Sequence, residues 1–436
     1  MASDTQISSA PQSGMRDFTP ADVRLRDWAT GVITSTYEQF GFTKIETPAL
    51  ENINLLRRGE GGENLQLIFE VLKRGDKLDR VLSDAHSKAT KVDRLELADM
   101  GLRFDLTVPL VRFYSQNSNE LPHPFKAIQI GSVWRAESAQ QGRYRQFTQC
   151  DIDMFGVKSE IAEIELLQAT SEALLKLDFE NFTICINDRR ILAAIAAFCG
   201  FEENRFDSVF IELDKLDKIG LDGVVRELTK DGHPAAAVEK LKELIAALDP
   251  TADSVTLLNT LAEKTSADAE AVKGLQSILA VIGEHSQGRY KIKFEPSLVR
   301  GMGYYTGPIF EIKCDGYSYS VAGGGRYDKM VAKMSGRDVP ACGFSIGFER
   351  IVGILADKGF VPPTSTTRLG LIFDPGRDQV SDVIKAAGNL RKQGFAVVTQ
   401  AKKKDVKKQI EQLSAQGIAR LCMFRGEVEN PEVKDI

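Results

Sequence analysis

Hydrophobic and polar positions follow the period of a helix or of a strand in several parts of the chain. Segment 23–40 has the apolar spacing of a helix, and segment 41–48 predicts a turn and a short strand that ends at a proline. Two strands are predicted over 127–134 and 147–155, and a helix over 159–177 follows them. This part of the chain is therefore predicted to combine helices with strands.

The strand predicted over 147–155 is polar on one face only. Successive side chains of a strand point to opposite faces of the sheet. One face carries Phe147, Gln149, Asp151 and Asp153. The other face carries Thr148, Cys150, Ile152 and Met154. We expect the second face to pack in the core and the first face to serve a polar site.

Two later regions predict further elements. Residues 187–285 are rich in Ala, Leu, Lys and Glu, which indicates a helical insertion. Strand-like runs at 308–314 and 317–322 flank Asp315-Gly316, a dipeptide typical of a two-residue hairpin turn. The body is therefore predicted to be mostly antiparallel sheet with helices.

The C-terminal part of the chain predicts a separate α/β domain. Residues 358–367 contain Pro362-Pro363 and a Ser/Thr run, as linkers do. Beyond them, predicted strands alternate with predicted helices. The strands are 368–373, 395–399 and 419–424, and the helices are 378–393 and 405–416. This alternation favours a small parallel sheet.

The composition is that of a globular protein with several domains, because the chain has 436 residues, of which 43% are hydrophobic and 27% charged. The longest apolar stretch, residues 191–199, is too short to span a membrane. Residues 1–13 are polar, which predicts a flexible tail rather than a secretory signal, so we expect a cytoplasmic protein. Cysteines and histidines lie far apart, so we predict neither a metal site nor a hydrolase triad.

Charge is distributed unevenly along the chain. The formal net charge of −5 disfavours a protein that coats nucleic acid by bulk attraction. Residues 366–436 nevertheless contain 13 Lys and Arg against 9 Asp and Glu. Five lysines of this region are close in sequence: Lys402, Lys403, Lys404, Lys407 and Lys408. The region is therefore a basic module attached to an acidic body.

Arginines point to an anion site of another kind than the common phosphate loops. Neither G-x-x-x-x-G-K-[ST] nor G-x-G-x-x-G occurs in the sequence. Six arginines lie in strand and turn contexts: Arg135, Arg143, Arg145, Arg300, Arg326 and Arg350. A guanidinium suits phosphate oxygens, although each of these arginines also fits a structural ion pair. With the carboxylates of 147–155, the set predicts ATP bound beside an amino acid.

Several motifs resemble those of a known family. Trp134-Arg135-Ala136-Glu137, followed by Gly-Arg-Tyr-Arg-Gln-Phe-Thr-Gln at 142–149, resembles motif 2 of class II aminoacyl-tRNA synthetases, and of the histidyl-tRNA synthetases in particular. Segments 298–307 and 322–328 resemble the two histidyl-specific motifs, and segment 343–350 resembles motif 3. Segments 14–18 and 103–109 also fit. The resemblance covers residues 14–436 in the order of the family.

The resemblance implies an α+β fold with the antiparallel sheet of class II synthetases. Residues 14–186 and 287–357 would form the catalytic domain, 187–286 a helical insertion and 366–436 an α/β anticodon-binding domain. The lysine cluster then fits anticodon binding better than a solvated helix start. Pro48 and the helix before it resemble motif 1, which implies a homodimer.

The resemblance also implies a reaction: ATP-dependent activation of L-histidine to histidyl-adenylate, followed by transfer to the 3′ end of tRNA(His). Arg300 and Arg135 are the expected catalytic residues. ATP is expected to bind Arg135, Glu137, Arg143, Phe147 and Arg350. Histidine is expected to bind Asp105, Thr107, Gln149, Asp153, Tyr304 and Tyr305. Mg²⁺ is expected to arrive with the nucleotide phosphates.

Two departures from the family pattern affect these expectations. Gly303 stands where many members have Asp, so one carboxylate is absent. Either Asp153 or Asp151 compensates, or a subgroup of the family binds the ligand differently. Asp151 fits a structural role equally well. In the motif 2 loop, Ser138-Ala139 stands where Arg-Pro often follows the Glu.

Two non-catalytic functions are the alternatives. One is the histidine-sensing regulatory subunit of ATP phosphoribosyltransferase, which lacks the anticodon domain and the ATP-binding residues. The other is a synthetase-like module that binds uncharged tRNA in stress signalling. The basic C-terminal region and Arg135, Arg300 and Arg350 are all present here, which favours the enzyme.

Overall fold

The computed structural model describes residues 8–58, 66–87, 91–92, 94–138, 144–249, 251–300, 303–363 and 366–436. The chain divides into two compact units, Met1–Phe360 and Val361–Ile436, and each is described by itself. The predicted tail 1–13 lies partly outside the described residues, and Arg143 and Ala139 lie wholly outside them.

The first unit combines short strands with helices. Its strands are β1 (Thr43–Lys44), β2 (Leu50–Asn52), β3 (Glu70–Leu72), β4 (Ala98–Leu102), β5 (Phe125–Trp134), β6 (Gln146–Phe155), β7 (Phe182–Asp188), β8 (Lys291–Phe294), β9 (Pro308–Cys314), β10 (Ser320–Arg326) and β11 (Ala341–Ile346). Its α-helices are α1 (Pro20–Gln39), α2 (Ile53–Arg58), α3 (Asp76–Ser87), α4 (Thr107–Asn117), α5 (Ile161–Lys176), α6 (Arg189–Cys199), α7 (Phe206–Leu213), α8 (Leu216–Lys230), α9 (Ala235–Ala246), α10 (Ser254–Thr265), α11 (Ala269–Ser286), α12 (Lys329–Ser335) and α13 (Phe348–Asp357). Short 3₁₀ helices cover Arg94–Glu96 and Glu203–Arg205.

An eight-stranded sheet forms the centre of this unit, in the order β1-β5-β6-β11-β10-β9-β7-β8. Neighbouring strands are antiparallel except at the two edges, where β1 with β5 and β7 with β8 are parallel. A second sheet has the order β2-β4-β3. The predicted α+β fold with a mostly antiparallel sheet is therefore confirmed, as are the helices predicted for 187–285.

Helix α1 begins at a capping box. Thr19 Oγ1 accepts a hydrogen bond from the Asp22 backbone N–H at 3.3 Å, and Asp22 Oδ2 accepts the Thr19 N–H at 2.9 Å. Proline at the first helical position also favours a helix start there, because a backbone N–H at this position would have no partner within the helix. The cap places the start at Pro20, slightly before the predicted residue 23.

The alternation predicted for β6 is confirmed from Gln149 to Met154, whereas Thr148, which was predicted for the core face, also lines the cavity. Cys150, Ile152 and Met154 are buried in a core shared with apolar residues of α1 and α5. The opposite face lines a cavity. A shift of one residue would exchange the two faces, so the pairing of β6 with β5 and β11 determines which side chains reach the cavity.

The predicted two-residue hairpin is wrong in its length. Asp315-Gly316 does form a turn, in which the Tyr317 N–H donates to the Cys314 C=O at 3.2 Å and Gly316 has a φ of 85°. The next strand starts only at Ser320, which pairs with Lys313, and the pairing of β9 with β10 then shifts between Ser320 and Ala322. A bulge of this kind depends on the partner strand, so the local sequence does not reveal it.

The second unit has the elements β12 (Arg368–Phe373), α14 (Val380–Lys392), β13 (Ala396–Ala401), α15 (Val406–Ala415), β14 (Arg420–Met423) and β15 (Lys434–Asp435). Its sheet has the order β13-β12-β14-β15. Strand β12 is parallel to both neighbours, which confirms the predicted parallel α/β arrangement. Strand β15 pairs antiparallel with β14 and was not predicted. In neither unit is a described helix long and apolar enough to cross a membrane.

Candidate active site

A cavity of about 410 Å³ opens above the polar face of β6. Its lining includes residues from β10, β11, α13 and the segments before α4 and β9. The predicted site residues that line it are Asp105, Thr107, Arg135, Glu137, Phe147, Gln149, Asp153, Arg300, Tyr304, Tyr305 and Arg350. The structure thus brings together every predicted site residue except Arg143, which lies outside the described residues.

Five carboxyl side chains of the described residues line the cavity: Glu137, Glu349 and three aspartates. We call the aspartates, Asp105, Asp151 and Asp153, the carboxylate set. Each is only 3% exposed. Asp105 precedes α4, and its Oδ1 accepts the Val108 N–H at 3.2 Å. Within the described chain, the buried side-chain oxygens without a hydrogen-bond partner include Asp105 Oδ2, Gln149 Oε1 and Asp151 Oδ1. Because unpaired buried acceptors cost free energy, this arrangement suits a ligand that donates hydrogen bonds.

The carboxylate set has raised pKa values because its members are buried. Burial raises the pKa of Asp105 to about 6, against the Val108 hydrogen bond and the charge of Arg135. Burial also raises the pKa of Asp153 to about 7, against a hydrogen bond from Tyr327. Burial and the charge of Asp153 together raise the pKa of Asp151 well above its ordinary value. Three carboxyl groups therefore share one desolvated region, and each one that ionises there favours a cationic ligand or an N–H donor.

Tyrosines lie beside the carboxylate set. Tyr327 donates from Oη to Asp153 Oδ1 at 2.5 Å. The ring centroid of Tyr304 lies 4.6 Å from that of Tyr305 and 6.0 Å from that of Tyr327. Sequence reasoning assigned no site role to Tyr327, although it lies within the second histidyl-specific motif. Its contact with Asp153 joins two segments far apart in sequence, which a motif alone does not show.

Three guanidinium groups also line the cavity, and we call Arg135, Arg300 and Arg350 the arginine set. Arg135 Nε donates to the Phe104 C=O at 3.0 Å, and its guanidinium carbon lies 5.0 Å from the centroid of the Phe147 ring. This ring belongs to the polar face of β6, as the alternation predicted. Arg135 and Phe147 together offer a cation and an aromatic face to a nucleotide.

Arg300 lies over a run of glycines in β10. Its Nη1 is 3.5 Å from Glu311 Oε2, and a side chain at Gly323 would collide with its guanidinium. A side chain at Gly324 would collide with the backbone of Gly343 on β11. These glycines therefore permit a close approach of the neighbouring strand and of Arg300, and they lie within a strand and not in a tight turn.

Two of the six arginines grouped by sequence lie outside this cavity, so the prediction of one anion-binding set is wrong for them. Arg326 forms a buried ion pair with Glu163, with nitrogen–oxygen distances of 2.6 and 2.8 Å. Arg145 donates from Nε to the Glu137 C=O at 3.0 Å. Both therefore have structural partners, and Glu163 is too distant in sequence to have been recognised.

Glu349, the neighbour of Arg350, also lines the cavity and was not predicted from the sequence. Glu349 forms an ion pair with Arg26 at 2.8 Å and another with Arg16, and it accepts the Thr148 N–H at 3.1 Å. Burial opposes the charge of Glu349, but the Arg26 hydrogen bond and charge outweigh it and lower the pKa. Glu349 thus ties α13 to β6 and to the N-terminal segment, while Arg350 donates to the Ser320 C=O.

Gly303 lies near a carboxylate of the helical region. A Cβ at this position would come 4.0 Å from Asp207 Oδ2 on α7, and Asp207 forms an ion pair with Arg189 at 2.7 Å. No group of three or more His, Cys, Asp or Glu residues that could hold a metal ion occurs in the described ranges.

Comparison with known proteins gives a consistent result. A family model described as histidyl-tRNA synthetase matches residues 76–351. A histidine–tRNA ligase of Leifsonia xyli subsp. xyli is 43% identical over 412 residues, which are 93% of each chain. A probable histidine–tRNA ligase of Tropheryma whipplei is 40% identical over 420 residues, again 93% of each chain.

A solved structure resembles the whole chain. The histidyl-tRNA synthetase of Nostoc sp. PCC 7120 superposes with a TM-score of 0.78 at 26% identity, covering 99% of this chain and 95% of that one. A second structure, titled as an ATP phosphoribosyltransferase regulatory subunit/histidyl-tRNA synthetase from Bacillus halodurans C, has a TM-score of 0.72 at 20% identity, which shows a shared fold only.

Proposed function

The chain belongs to the histidyl-tRNA synthetase family, and from that premise we propose how its cavity joins histidine to tRNA. It is an aminoacyl-tRNA synthetase of the histidine–tRNA ligase type. The observation that carries the residue assignments is the single cavity lined by both the carboxylate set and the arginine set. An amino acid with an ammonium group and an N–H ring complements the first set, and a triphosphate complements the second.

In the first step, a carboxylate oxygen of histidine attacks the α-phosphorus of ATP. A bond forms between that oxygen and phosphorus, and the bond to the pyrophosphate oxygen breaks, so that pyrophosphate leaves with the electron pair. The histidine carboxylate is already ionised near neutral pH, so no general base is needed. We assign Arg135 and Arg300 to stabilise the charge that develops between the reacting groups.

ATP binding is assigned to the arginine set and its neighbours. Arg350 would bind the γ-phosphate and Arg135 the α-phosphate, while Phe147 and Glu137 would hold the adenine. Arg143 remains a proposed ATP contact from the family motif. Mg²⁺ would arrive with ATP, bound chiefly by phosphate oxygens, and would reduce repulsion between them.

Histidine binding is assigned to the carboxylate set and the tyrosines. Asp105, Thr107 and Gln149 would bind the α-amino and carboxylate groups. Asp153, Tyr304 and Tyr305 would contact the imidazole. An apolar amino acid of similar size would leave the buried Asp153 unpaired, which costs about 1–3 kcal/mol or more.

In the second step, a hydroxyl at the 3′ end of tRNA(His) attacks the carbonyl carbon of histidyl-adenylate, and AMP leaves. We propose that 14–186 and 287–357 form the catalytic domain, that 187–286 contacts the acceptor stem, and that 366–436 binds the anticodon. The lysine cluster at 402–408 precedes and begins α15, where it would meet the phosphate backbone. We further propose a cytoplasmic homodimer whose interface includes α1 and Pro48.

The sensor alternative is not favoured. Its characteristic losses are the ATP-binding residues and the anticodon domain. In this chain the arginine set lines the cavity, and a C-terminal α/β unit is present. The relatives at 40% identity or more are named as ligases.

ATP–pyrophosphate exchange across the twenty amino acids tests the proposal. We expect exchange with histidine alone, and its loss in Arg300→Ala. Calorimetric histidine binding by a wild-type protein that catalyses no exchange would contradict the enzyme assignment and favour a sensor.

A further inference from the structure

Asp151 occupies the centre of the polar face of β6, and no role has been assigned to it so far. It lies two residues from Gln149 and two residues from Asp153, which is roughly 7 Å along the strand in each direction. In the proposed function, on which this inference rests, Gln149 contacts one end of histidine and Asp153 contacts its ring. A ligand that connects them therefore lies over Asp151.

The surroundings of Asp151 are polar but offer it no ion pair. The charged groups that face it are Asp153 on the same strand, Asp105 before α4, Arg135 after β5 and Arg103 after β4. Both arginines instead donate to backbone carbonyls: Arg135 to Phe104, and Arg103 to Ser132 and Thr47. Asp151 thus lies near two other carboxyl groups, and no cation of the described residues forms an ion pair with it.

Neighbouring strands supply neutral partners only. In the sheet register, Asp151 lies between Gln129 of β5 and Ser345 of β11. The Ser345 hydroxyl forms a hydrogen bond with the Asp151 carboxyl. Behind the sheet, the titratable groups that interact with Asp151 are Cys150 and Tyr37, and burial raises the pKa of both. The surroundings of the carboxyl therefore favour its neutral form.

A purely structural role does not account for both oxygens of Asp151. Ser345 lies beside Asp151 in the sheet and lowers the pKa of its carboxyl group, whereas Asp151 Oδ1 is buried without a hydrogen-bond partner. Asp151 also lines the cavity. A buried polar atom that faces a binding cavity without a partner is expected to meet a ligand group.

We propose that Asp151 acts as a neutral carboxylic acid that donates its O–H to the unprotonated imidazole nitrogen of bound histidine. A neutral imidazole has one N–H and one acceptor nitrogen. Asp153 would accept from the N–H, and Asp151 would donate to the other nitrogen, keeping its proton. The two neighbouring acids thus read both ring nitrogens in opposite senses. Asp151 is then a specificity residue for the imidazole ring.

Substitutions that separate shape from charge test this assignment. Asp151→Asn keeps the size and a donor but cannot ionise, whereas Asp151→Ala removes the donor, and Asp105→Asn removes a proposed ionised contact. We measure kcat/KM for histidine in the exchange reaction between pH 6 and 9, with KM for ATP alongside. Loss of one hydrogen bond predicts a decrease in kcat/KM of about 10- to 100-fold for Asp151→Ala. Asp151→Asn keeps a donor, so we expect a decrease of about 3-fold. Asp105→Asn removes an ionised contact, so we expect a decrease of more than 100-fold.

If the residue works as a carboxylate, both substitutions at Asp151 lose activity. In that case Asp151→Asn would lose as much activity as Asp105→Asn, which overturns the proposal. An unchanged KM for histidine in Asp151→Ala also overturns it. A structural defect would raise KM for ATP as well, whereas we expect KM for ATP to stay within about 2-fold of the wild-type value. Asp84→Asn, at an exposed position on α3, is the control variant. Absence of exchange in the wild-type protein would instead contradict the proposed function itself.

Discussion

The carboxylate set and the arginine set line one cavity, but the protein holds them in opposite ways. Arg135 already donates to a backbone carbonyl, and Arg300 lies beside Glu311. The carboxylates are buried, and Asp105 and Asp151 each leave an oxygen unpaired. Before any ligand binds, the arginine set therefore has protein partners, whereas the carboxylate set lacks part of its own.

This difference indicates which set lowers the stability of the folded protein without ligand and regains that free energy when a ligand binds. Burial of a carboxyl group without a cation raises its pKa and costs stability whenever it is ionised. An arginine beside carbonyl and carboxylate oxygens bears a smaller cost. Substitutions in the arginine set should therefore reduce the rate with little effect on stability, and substitutions in the carboxylate set should affect both, in opposite directions.

The largest effect is expected for Arg300→Ala. Removal of one charge-stabilising donor should lower kcat for adenylate formation by about 10²- to 10³-fold, because its contribution develops with the transition state. Thermal unfolding should change little. Arg300→Lys should lose less than the alanine variant, since it keeps the charge but not the planar fork.

The matched control for this prediction is Arg337→Ala, because Arg337 donates to Ser118 and Asn119 away from the cavity. It should leave exchange unchanged. Single-turnover measurement of adenylate formation separates kcat from histidine affinity. A pure increase in KM for Arg300→Ala would assign the residue to ground-state binding instead.

Asp153→Asn gives the clearest test of the difference between the carboxylate set and the arginine set. The amide oxygen can still accept the Tyr327 hydrogen bond, but the charge is gone. Because the folded pKa of about 7 lies above the ordinary 3.8, the ionised group lowers stability progressively as pH rises through this range, and fully above it. At pH 8 we expect kcat/KM for histidine to fall by about 100-fold while stability to unfolding rises by about 1–3 kcal/mol.

Calorimetry at pH 8 and pH 5 checks the second half of that prediction. The gain in Tm should be present at pH 8 and smaller at pH 5, where the wild-type group is protonated in the folded state. A lower Tm at pH 8 for Asp153→Asn would show that the carboxylate stabilises the empty protein.

A smaller effect is expected from pH alone. Since Asp153 must be ionised to accept the ring N–H, kcat/KM for neutral-ring histidine should fall as pH falls below about 7. Between pH 7.5 and 5.5 the ionised fraction decreases about 25-fold. Asp105, with a pKa of about 6, adds to the decrease at the lower limit. In Asp153→Asn only the decrease due to Asp105 should remain. An unchanged pH profile of kcat/KM in this variant would exclude Asp153 as the titrating group.

Much of the fold follows from local patterns. The alternation of β6 predicts which residues face the cavity, because a period of two permits only one division of the strand. Strands and helices of the C-terminal unit follow equally from periodicity. The bulge at Ser320 does not, since it depends on the register with β9.

The site was predictable where its residues lie within motifs, and not where partners come from distant segments. Arg300 and Arg326 are both arginines near strands in the sequence. Only folding shows that Arg326 meets Glu163 and that Arg300 lies over Gly323. The Tyr327 contact with Asp153 and the ion pairs of Glu349 are long-range in the same way, so composition and spacing carry no signal for them.

The smallest predicted effect comes from adding a carboxylate near Asp207 of α7. At Gly303→Asp the new side chain would lie close to Asp207, whose side chain is 73% exposed and paired with Arg189. Exposed like charges repel weakly, so we expect kcat/KM for histidine to fall only about 2- to 5-fold.

A double-mutant cycle with Asp207→Asn isolates this repulsion. Asp207→Asn alone should have little effect on kcat/KM, and in the Gly303→Asp background it should restore most of the loss, a coupling of about 0.5–1 kcal/mol that weakens as salt increases. Strict additivity would mean that Asp207 does not oppose a carboxylate at 303. Glycine at position 303 would then be required only for steric or backbone reasons. Added negative charge would be costly only in the buried carboxylate set.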